Sequence, residues 1–261
     1  MGSEPVNRVT YEKKPTIGFI SAPAWFDPAP SEFSKVIIEE VSTQQAPLLL
    51  PEFDYRLESV ASVQNELNLC ARSLKAIGCD VVAQVGSPFA WANATSEAEA
   101  RLRNKAMITA AHVPTLMTGL AIVDGLRTLG INKVAVNCTY YESDWRDGFS
   151  AFLRLCGFNT IHVSTLADQG LIAPSAKMED YGWFMTPELA SKSILSVAEA
   201  SPDAEAIVVT GAGTRTLDIL AHMEAQTKRP IIAADTILYW AIARELDLTL
   251  LPVMGSLSNL T

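Results

Sequence analysis

The strongest constraint on the fold of this sequence is an approximate internal duplication. Three apolar segments of the first half recur in the second half, in the same order and at offsets of 117, 125 and 116 residues. The matched pairs are 17–22 with 134–139, 80–87 with 205–212, and 113–119 with 229–235. Collinear matches at a nearly constant offset are typical of a repeated structural unit, so we expect two similar halves.

The matched segments have the character of buried parallel strands. Each is short and rich in apolar and β-branched residues. Each is followed in the chain by a longer stretch in which apolar residues recur at helical spacing. The helical stretches include 59–77, and 187–200 with Thr186 as its candidate N-cap. We therefore predict an α/β fold of two pseudo-symmetric three-layer lobes with parallel sheets and the active-site cleft between them. The predicted first lobe comprises 1–119 plus 229–261, and the second comprises 120–228.

Charge and composition argue against several classes of function. The 20 basic and 29 acidic residues give a net charge of -9, which disfavours a nucleic-acid or anionic-membrane partner. No apolar run reaches the roughly 18 residues of a membrane span, and no signal-peptide core is present, so a cytoplasmic protein is expected. The four cysteines form no CxxC pair and the three histidines lie far apart, so we predict no metal site. The sequence leaves open whether the chain forms a homo-oligomer.

Two predicted strand ends are rich in glycine, and ligands of open parallel sheets bind beyond the carboxyl ends of strands. Gly86 and Ser87 close one apolar run, 211–214 closes its repeat, and each is predicted to open toward a helix. Free N–H groups and the helix dipole would then converge on an anion such as a carboxylate. Glycine could instead serve only a tight turn, but its presence at both repeat positions favours a binding site. We expect a small carboxylate substrate.

Other strand ends carry side chains that can move protons. Tyr140 and Tyr141 follow the run 134–137, and one of the two phenols is expected to face the cleft. Asp235 is either a general acid or base, or the N-cap of the helix that follows it. Cys138 is the only cysteine close to a strand end, apart from Cys79, which opens a strand; most of the cysteines are interpreted as buried small hydrophobes.

Two common catalytic motifs do not fit. Ser87 lacks the GxSxG elbow of a serine hydrolase and has no histidine at a strand end, and the segment 211–216 lacks the third glycine of a dinucleotide site. Aromatic residues near Trp25 and Trp91 would exclude water from a small site, with ordinary packing as the alternative explanation.

Five segments, taken in order, carry a family resemblance. They are 15–20 (PTIGFI), 80–87 (DVVAQVGS), 125–130 (GLRTLG), 134–140 (VAVNCTY) and 202–218 (PDAEAIVVTGAGTRTLD). Together they resemble the aspartate/glutamate racemase superfamily, and within it the branch of arylmalonate decarboxylase and maleate cis-trans isomerase. The resemblance runs from about 15 to 246 and implies two pseudo-symmetric α/β lobes around a shared active site.

The resemblance also implies a set of site residues. Members of the superfamily typically place a cysteine after the third strand of each lobe, and the matching positions here are Gly86 and Gly211. Since glycine cannot transfer a proton, racemisation of amino acids by two thiols is not expected. The oxyanion hole of the decarboxylase is matched by Ser87, Tyr140 and the N–H groups of Gly211 and Ala212. Further substrate-binding positions are predicted at Pro23, Trp25, Gly86, Gly213, Thr214 and Thr236.

We therefore expect a cofactor-free lyase of the decarboxylase type, or an isomerase, that acts on a small carboxylic acid through an enediolate held in an oxyanion hole. Tyr140, Asp235 and Cys138 are the candidates for supplying the proton. One alternative is a hydrolase or hydratase in which Asp235 or Glu142 activates water. The other is a carboxylate-binding relative without chemistry.

Overall fold

A computed structural model describes residues 14–23, 27–50, 54, 56–176 and 185–260 of the chain. Two four-stranded parallel sheets form the framework within these ranges. None of the described helices is both long enough and apolar enough to cross a lipid bilayer.

The first sheet has the strand order β2-β1-β3-β4. Its strands are β1 (Thr16–Ser21), β2 (Ser42–Pro47), β3 (Val81–Gln84) and β4 (Thr115–Met117). All neighbouring pairs are parallel, with Ile17 opposite both Thr43 and Val81. The carboxyl ends of β1 and β3 therefore lie side by side at one edge of the sheet.

The second sheet repeats this arrangement with the order β6-β5-β7-β8. Its strands are β5 (Lys133–Asn137), β6 (Asn159–Ser164), β7 (Ala206–Val209) and β8 (Ile231–Ala233). Three pairs of equivalent strands, β1 and β5, β3 and β7, and β4 and β8, overlap the three pairs of segments that match in the sequence. The predicted α/β fold with two lobes and parallel sheets is confirmed.

The central strands β3 and β7 are buried on both faces of their sheets. Every residue of β3 and of β7 is buried, as the continuous apolar runs predict for strands covered by helices on both sides. One continuous apolar core includes Ile17 and Val82 from the first sheet and Val136 and Val208 from the second. Burial of this surface is the main stabilising contribution to the fold.

Ten α-helices connect and cover the strands in the described ranges, and a 3₁₀ segment follows them. They are α1 (Ala29–Phe33), α2 (Leu57–Ser62), α3 (Gln64–Ala76), α4 (Pro88–Trp91), α5 (Glu97–Ala111), α6 (Thr118–Thr128), α7 (Ser143–Leu155), α8 (Pro187–Ala200), α9 (Leu220–Thr227), α10 (Ala234–Glu245) and the 3₁₀ segment Pro252–Asn259.

Two helix predictions have different outcomes. Helix α8 is confirmed at its predicted bounds, and the hydroxyl of Thr186 accepts the N–H of Leu189 at 3.3 Å as an N-cap. The single helix predicted over 59–77 is wrong, because the chain breaks at Val63 into α2 and α3. Val63 itself is buried, with φ -85° and ψ 20°, so core packing at this residue accompanies the break.

The lobe boundaries stay a prediction, but the sheets locate the elements near them. Strand β8 lies in the range 229–261 that was assigned to the first lobe, and it pairs with β7 in the second sheet. The helix that follows it, α10, packs against α6 and against β3 and β4 of the first sheet. The chain thus crosses between the two sheets immediately after β8.

Candidate active site

Glycines with the same unusual backbone end the third strand of each repeat. Gly86 follows β3 with φ +98°, and Gly211 follows β7 with φ +95°. L residues with a side chain rarely adopt these angles, so both turns require glycine. The equivalence of the two glycine-rich strand ends therefore extends to their backbone conformation.

The expected helix dipole is missing from one of these turns. After Gly211 the chain does not enter a helix until α9 begins at Leu220, so the prediction that this turn opens directly toward a helix is wrong. The backbone N–H groups of Gly211 and Ala212 nevertheless donate to no other residue that the structure describes. Two free donors at a strand end suit an oxyanion, because they need no reorganisation to bind negative charge.

Ser87 and Tyr141 form a hydrogen bond between the strand ends of the two repeats. The Ser87 Oγ and Tyr141 Oη atoms are 3.0 Å apart, and the two residues are 0% and 5% exposed. Trp91 Nε1 also donates to Ser87 Oγ at 3.4 Å. Burial raises the pKa of Tyr141 well above its ordinary value, so this phenol remains a hydrogen-bond donor.

Tyr140 stands beside this pair and faces the second glycine turn. The N–H of Gly213 donates to Tyr140 Oη at 3.0 Å, and the Tyr140 and Tyr141 rings meet edge to face with centroids 5.8 Å apart. Burial raises the pKa of Tyr140 as well. The structure therefore brings both neighbouring phenols to the strand ends. Tyr141 is the hydrogen-bond partner of Ser87, and the role predicted for Tyr140 in the oxyanion hole stays a prediction.

Asp235 supports the segment that follows the second glycine turn. It is 4% exposed, and its two carboxylate oxygens accept the N–H of Thr216 at 2.6 Å and the Thr216 hydroxyl at 2.7 Å. The N-cap interpretation of Asp235 is wrong, because the N-cap of α10 is Ala233 and Asp235 lies in the first turn. Its contacts make Asp235 a residue that fixes the segment after the turn.

Cys138 follows β5 but belongs to the apolar core. It is 0% exposed, and burial raises the pKa of its thiol well above the ordinary range. A thiol in this environment is protonated and shielded from solvent.

Of the remaining predicted positions, three are buried and one lies outside the described residues. Pro23, Thr214 and Thr236 are buried, and the Thr214 hydroxyl has no hydrogen-bond partner among the described residues. The Thr236 hydroxyl donates at 3.5 Å to the carbonyl of Ala233, the N-cap residue of α10. Trp25 lies outside the described residues.

A largely buried cluster of charged residues next to the second glycine turn was not predicted from the sequence. The guanidinium of Arg215 binds the carboxylate of Glu32 on α1, lies 3.5 Å from Asp27 and donates to the Ala212 carbonyl at 3.1 Å. Tyr239 of α10 donates to Glu32 at 2.8 Å. The cluster orients the carbonyl of Ala212 toward Arg215. Arg215 lies two residues after Gly213, but its carboxylate partners Glu32 and Asp27 are 183 and 188 residues away in the chain.

The groups around Arg215 stabilise the charged form of its guanidinium. Burial alone would lower the pKa of Arg215, but the surrounding Tyr239, Asp235, Asp27 and Glu32 hold that pKa well above its ordinary value. The guanidinium is therefore a permanent charge at the border of the site.

A family model supplies the decisive comparison. The model described as arylmalonate decarboxylase matches residues 17–257 of the chain. This chain belongs to the arylmalonate decarboxylase family. A curated relative, the arylmalonate decarboxylase of Bordetella bronchiseptica, is 26% identical over 174 residues, which cover 67% of this chain and 68% of that protein.

Solved structures of the family and its neighbours share the fold. A crystal structure of arylmalonate decarboxylase superposes with a TM-score of 0.77 at 23% identity, covering 95% of this chain and all of that one (100%). The maleate isomerase Iso of Pseudomonas putida S16 superposes with a TM-score of 0.78 at 20% identity, covering 95% and 99% of the two chains. The predicted membership of this branch is thus confirmed.

Proposed function

We propose that this chain is a cofactor-free decarboxylase that converts a small malonate-type dicarboxylate through an enediolate. The observation that carries the proposal is the buried hydrogen bond between Ser87 and Tyr141, which lies beside a turn with two free backbone donors. Family membership supports the reaction class, because the curated relative and several structural neighbours are named for decarboxylation or isomerisation of such acids.

The chemistry needs hydrogen-bond donors more than reactive side chains. When the bond between the central carbon and one carboxyl group breaks, carbon dioxide leaves and its electron pair passes into the remaining carboxylate. The resulting enediolate carries two negatively charged oxygens. We assign to these oxygens the N–H groups of Gly211 and Ala212 and the hydroxyl pair of Ser87 and Tyr141, in which one hydroxyl hydrogen joins the two side chains and the other is free to donate outward. Loss of one such donor costs about 3 kcal/mol in the barrier.

Decarboxylation fits the described residues better than isomerisation of a double bond. Rotation about a carbon–carbon double bond requires a nucleophile that adds to it, and a thiol is the usual choice. The thiols of Cys79, Cys138 and Cys156 are all buried with raised pKa values. An enediolate formed by loss of carbon dioxide needs no such nucleophile.

The surroundings of the donor pair favour a substrate with an aromatic substituent. Trp91 packs against Phe149 with ring centroids 5.6 Å apart, and Tyr141 meets Trp145 at 5.2 Å. These rings exclude water from the Ser87–Tyr141 bond, which strengthens the electrostatic interaction of that pair with an anion. An aryl group would be compatible with such apolar walls.

The direct test is a substrate screen with the purified protein in the presence of a chelator. Arylmalonates, alkylmalonates and maleate are incubated with the protein, and products are followed by proton NMR and by release of carbon dioxide. We expect arylmalonates to give arylacetates. Conversion of maleate to fumarate alone would favour the isomerase, hydration of maleate to malate would favour the hydratase, and no turnover of any of these acids would contradict the proposed decarboxylase.

A further inference from the structure

The phenol of Tyr140 occupies the space that a side chain at position 211 would need. A Cβ atom built on Gly211 would lie 2.7 Å from Tyr140 Cζ and 2.8 Å from Tyr140 Oη. Real Cβ atoms essentially never approach other heavy atoms this closely, and the φ of +95° adds strain for any other residue. Gly211 and Tyr140 therefore form a matched pair in which the phenol replaces a side chain at the end of β7.

We propose that Tyr140 is the acid that protonates the carbon of the enediolate. The proposal rests on the proposed function, because without the enediolate there is no carbon to protonate. Tyr140 belongs to the same contiguous group as the donor pair, since its ring touches Tyr141 and its hydroxyl lies over the glycine turn. Tyr140 is partly exposed, whereas Tyr141 is buried.

The hydrogen bonding of Tyr140 leaves its own proton available. Its oxygen accepts the N–H of Gly213, and the hydroxyl donates to no other residue that the structure describes. Tyr141 differs, because its hydroxyl is already engaged with Ser87. Two adjacent phenols thus have separate roles: one holds an oxygen of the intermediate and the other carries a proton.

The electrostatic surroundings suit a proton donor that must be reloaded. Burial keeps the phenol protonated near neutral pH, while the Gly213 N–H and the charge of Arg215 favour the phenolate and Asp27 opposes it. After transfer, the phenolate would therefore be held by the Gly213 N–H and the nearby guanidinium until it regains a proton.

The proposed step balances in atoms and electrons. The carbon–carbon bond breaks and carbon dioxide leaves, and the electron pair resides in the enediolate. This pair then forms a carbon–hydrogen bond with the phenolic proton as the O–H bond breaks. The Tyr140 phenolate takes a proton from water, so each turnover consumes one solvent proton.

The stereochemistry of the product tests this assignment. A malonate with one aryl and one methyl group on its central carbon gives a chiral product, because a fixed donor delivers the proton to one face. The wild type and Tyr140→Phe are assayed with this substrate in deuterated water, and the product is resolved by chiral chromatography. We expect one deuterated enantiomer from the wild type. Tyr140→Phe should lose about 10²-fold to 10⁴-fold in rate and give racemic product, because water then supplies the proton to either face.

A matched pair of glycine variants separates displacement of Tyr140 from general strain. Gly211→Ala places a methyl group in the position of the phenol, and 2.8 Å from Thr139 Oγ1, and should also give racemic product. Gly86→Ala has equal backbone strain, but its Cβ would meet the ring of Phe89 at 3.3 Å and does not touch Tyr140. Gly86→Ala should therefore keep the enantiomeric preference in whatever activity it retains.

The outcomes distinguish the two proposals. Turnover by the wild type together with a single enantiomer from folded Tyr140→Phe would overturn the role of Tyr140 and leave the decarboxylase function standing. A wild type that turns over none of the malonates would overturn both.

Discussion

Arg215 and Glu32 form a largely buried ion pair that connects the segment after β7, in the second sheet, to helix α1, which follows β1 of the first sheet. Their side chains are 14% and 16% exposed, and that of Asp27, 3.5 Å from the guanidinium, is 0% exposed. Removal of the guanidinium would leave two carboxylates buried without their common counter-ion, which is among the most destabilising changes that a protein interior can undergo.

We expect Arg215→Met to lower the free energy of unfolding by about 3 to 5 kcal/mol, measured by urea denaturation. The control is Arg146→Met, which breaks pairs with the more exposed Asp147 and Asp168 and should cost about 1 kcal/mol or less. Equal losses in the two variants would show that the cluster around Arg215 does not stabilise the fold.

Glu97 predicts how stability depends on pH in the acid range. Hydrogen bonds from Arg127, followed by those from Arg101, lower the pKa of Glu97 from 4.5 to about 2 in the folded protein. Because the folded pKa lies below the unfolded one, this carboxylate stabilises the fold above pH 4.5, and the contribution is lost as the pH falls toward 2. Urea denaturation across this window should show a shallower loss of stability for Glu97→Gln than for the wild type. Identical slopes would contradict the assignment.

Because its thiols have raised pKa values, we expect the native protein to resist alkylation of its cysteines. Burial raises the pKa of Cys79 to about 11 and that of Cys156 to about 12, and the Cys138 thiol is raised further. Iodoacetamide at neutral pH should leave the activity of the native protein unchanged, while all four cysteines should react in denaturant. Joint replacement of Cys70, Cys79 and Cys156 by Ala should leave turnover intact.

Cys138 is tested separately because it is the thiol closest to the site. Cys138→Ser should keep the turnover per folded molecule but lower stability by about 1 to 3 kcal/mol, since it places a hydroxyl in the apolar core. Collapse of turnover in this variant, with the fold intact by circular dichroism, would show that Cys138 takes part in the chemistry.

The sequence predicted the sheets well because its signal for them is local and repeated. Residues such as Val82 and Val208 lie in apolar runs that are buried on both faces, and the duplication supplied each run twice. The break of the helix at Val63 was not predictable in the same way. Helical periodicity continues across this residue, and only the tertiary structure shows where the chain turns.

The site was predicted in part for a similar reason. Glycine at 86 and 211 is a strong local signal, and both positions have the positive φ that glycine permits. The choice between Tyr140 and Tyr141 depends on the turn after β5, where Thr139 has φ +47°, and no periodic pattern applies there. Local sequence patterns cannot predict the Arg215 cluster, because Arg215 and its partner Glu32 are 183 residues apart in the chain.

The most direct test of the oxyanion hole is the turnover of an arylmalonate by Ser87→Ala, Tyr141→Phe and the double variant. Each single change should lower kcat about 10²-fold to 10³-fold with a smaller effect on KM, because these donors act mainly in the transition state. The double variant should lose less than the product of the two single losses, since the two hydroxyls form one hydrogen-bonded unit. Ser150→Ala, which removes a buried hydroxyl of α7 that forms no hydrogen bond with any described residue, is the control and should keep the wild-type kcat. A wild-type kcat in both Ser87→Ala and Tyr141→Phe would contradict the assignment of these residues to an oxyanion hole.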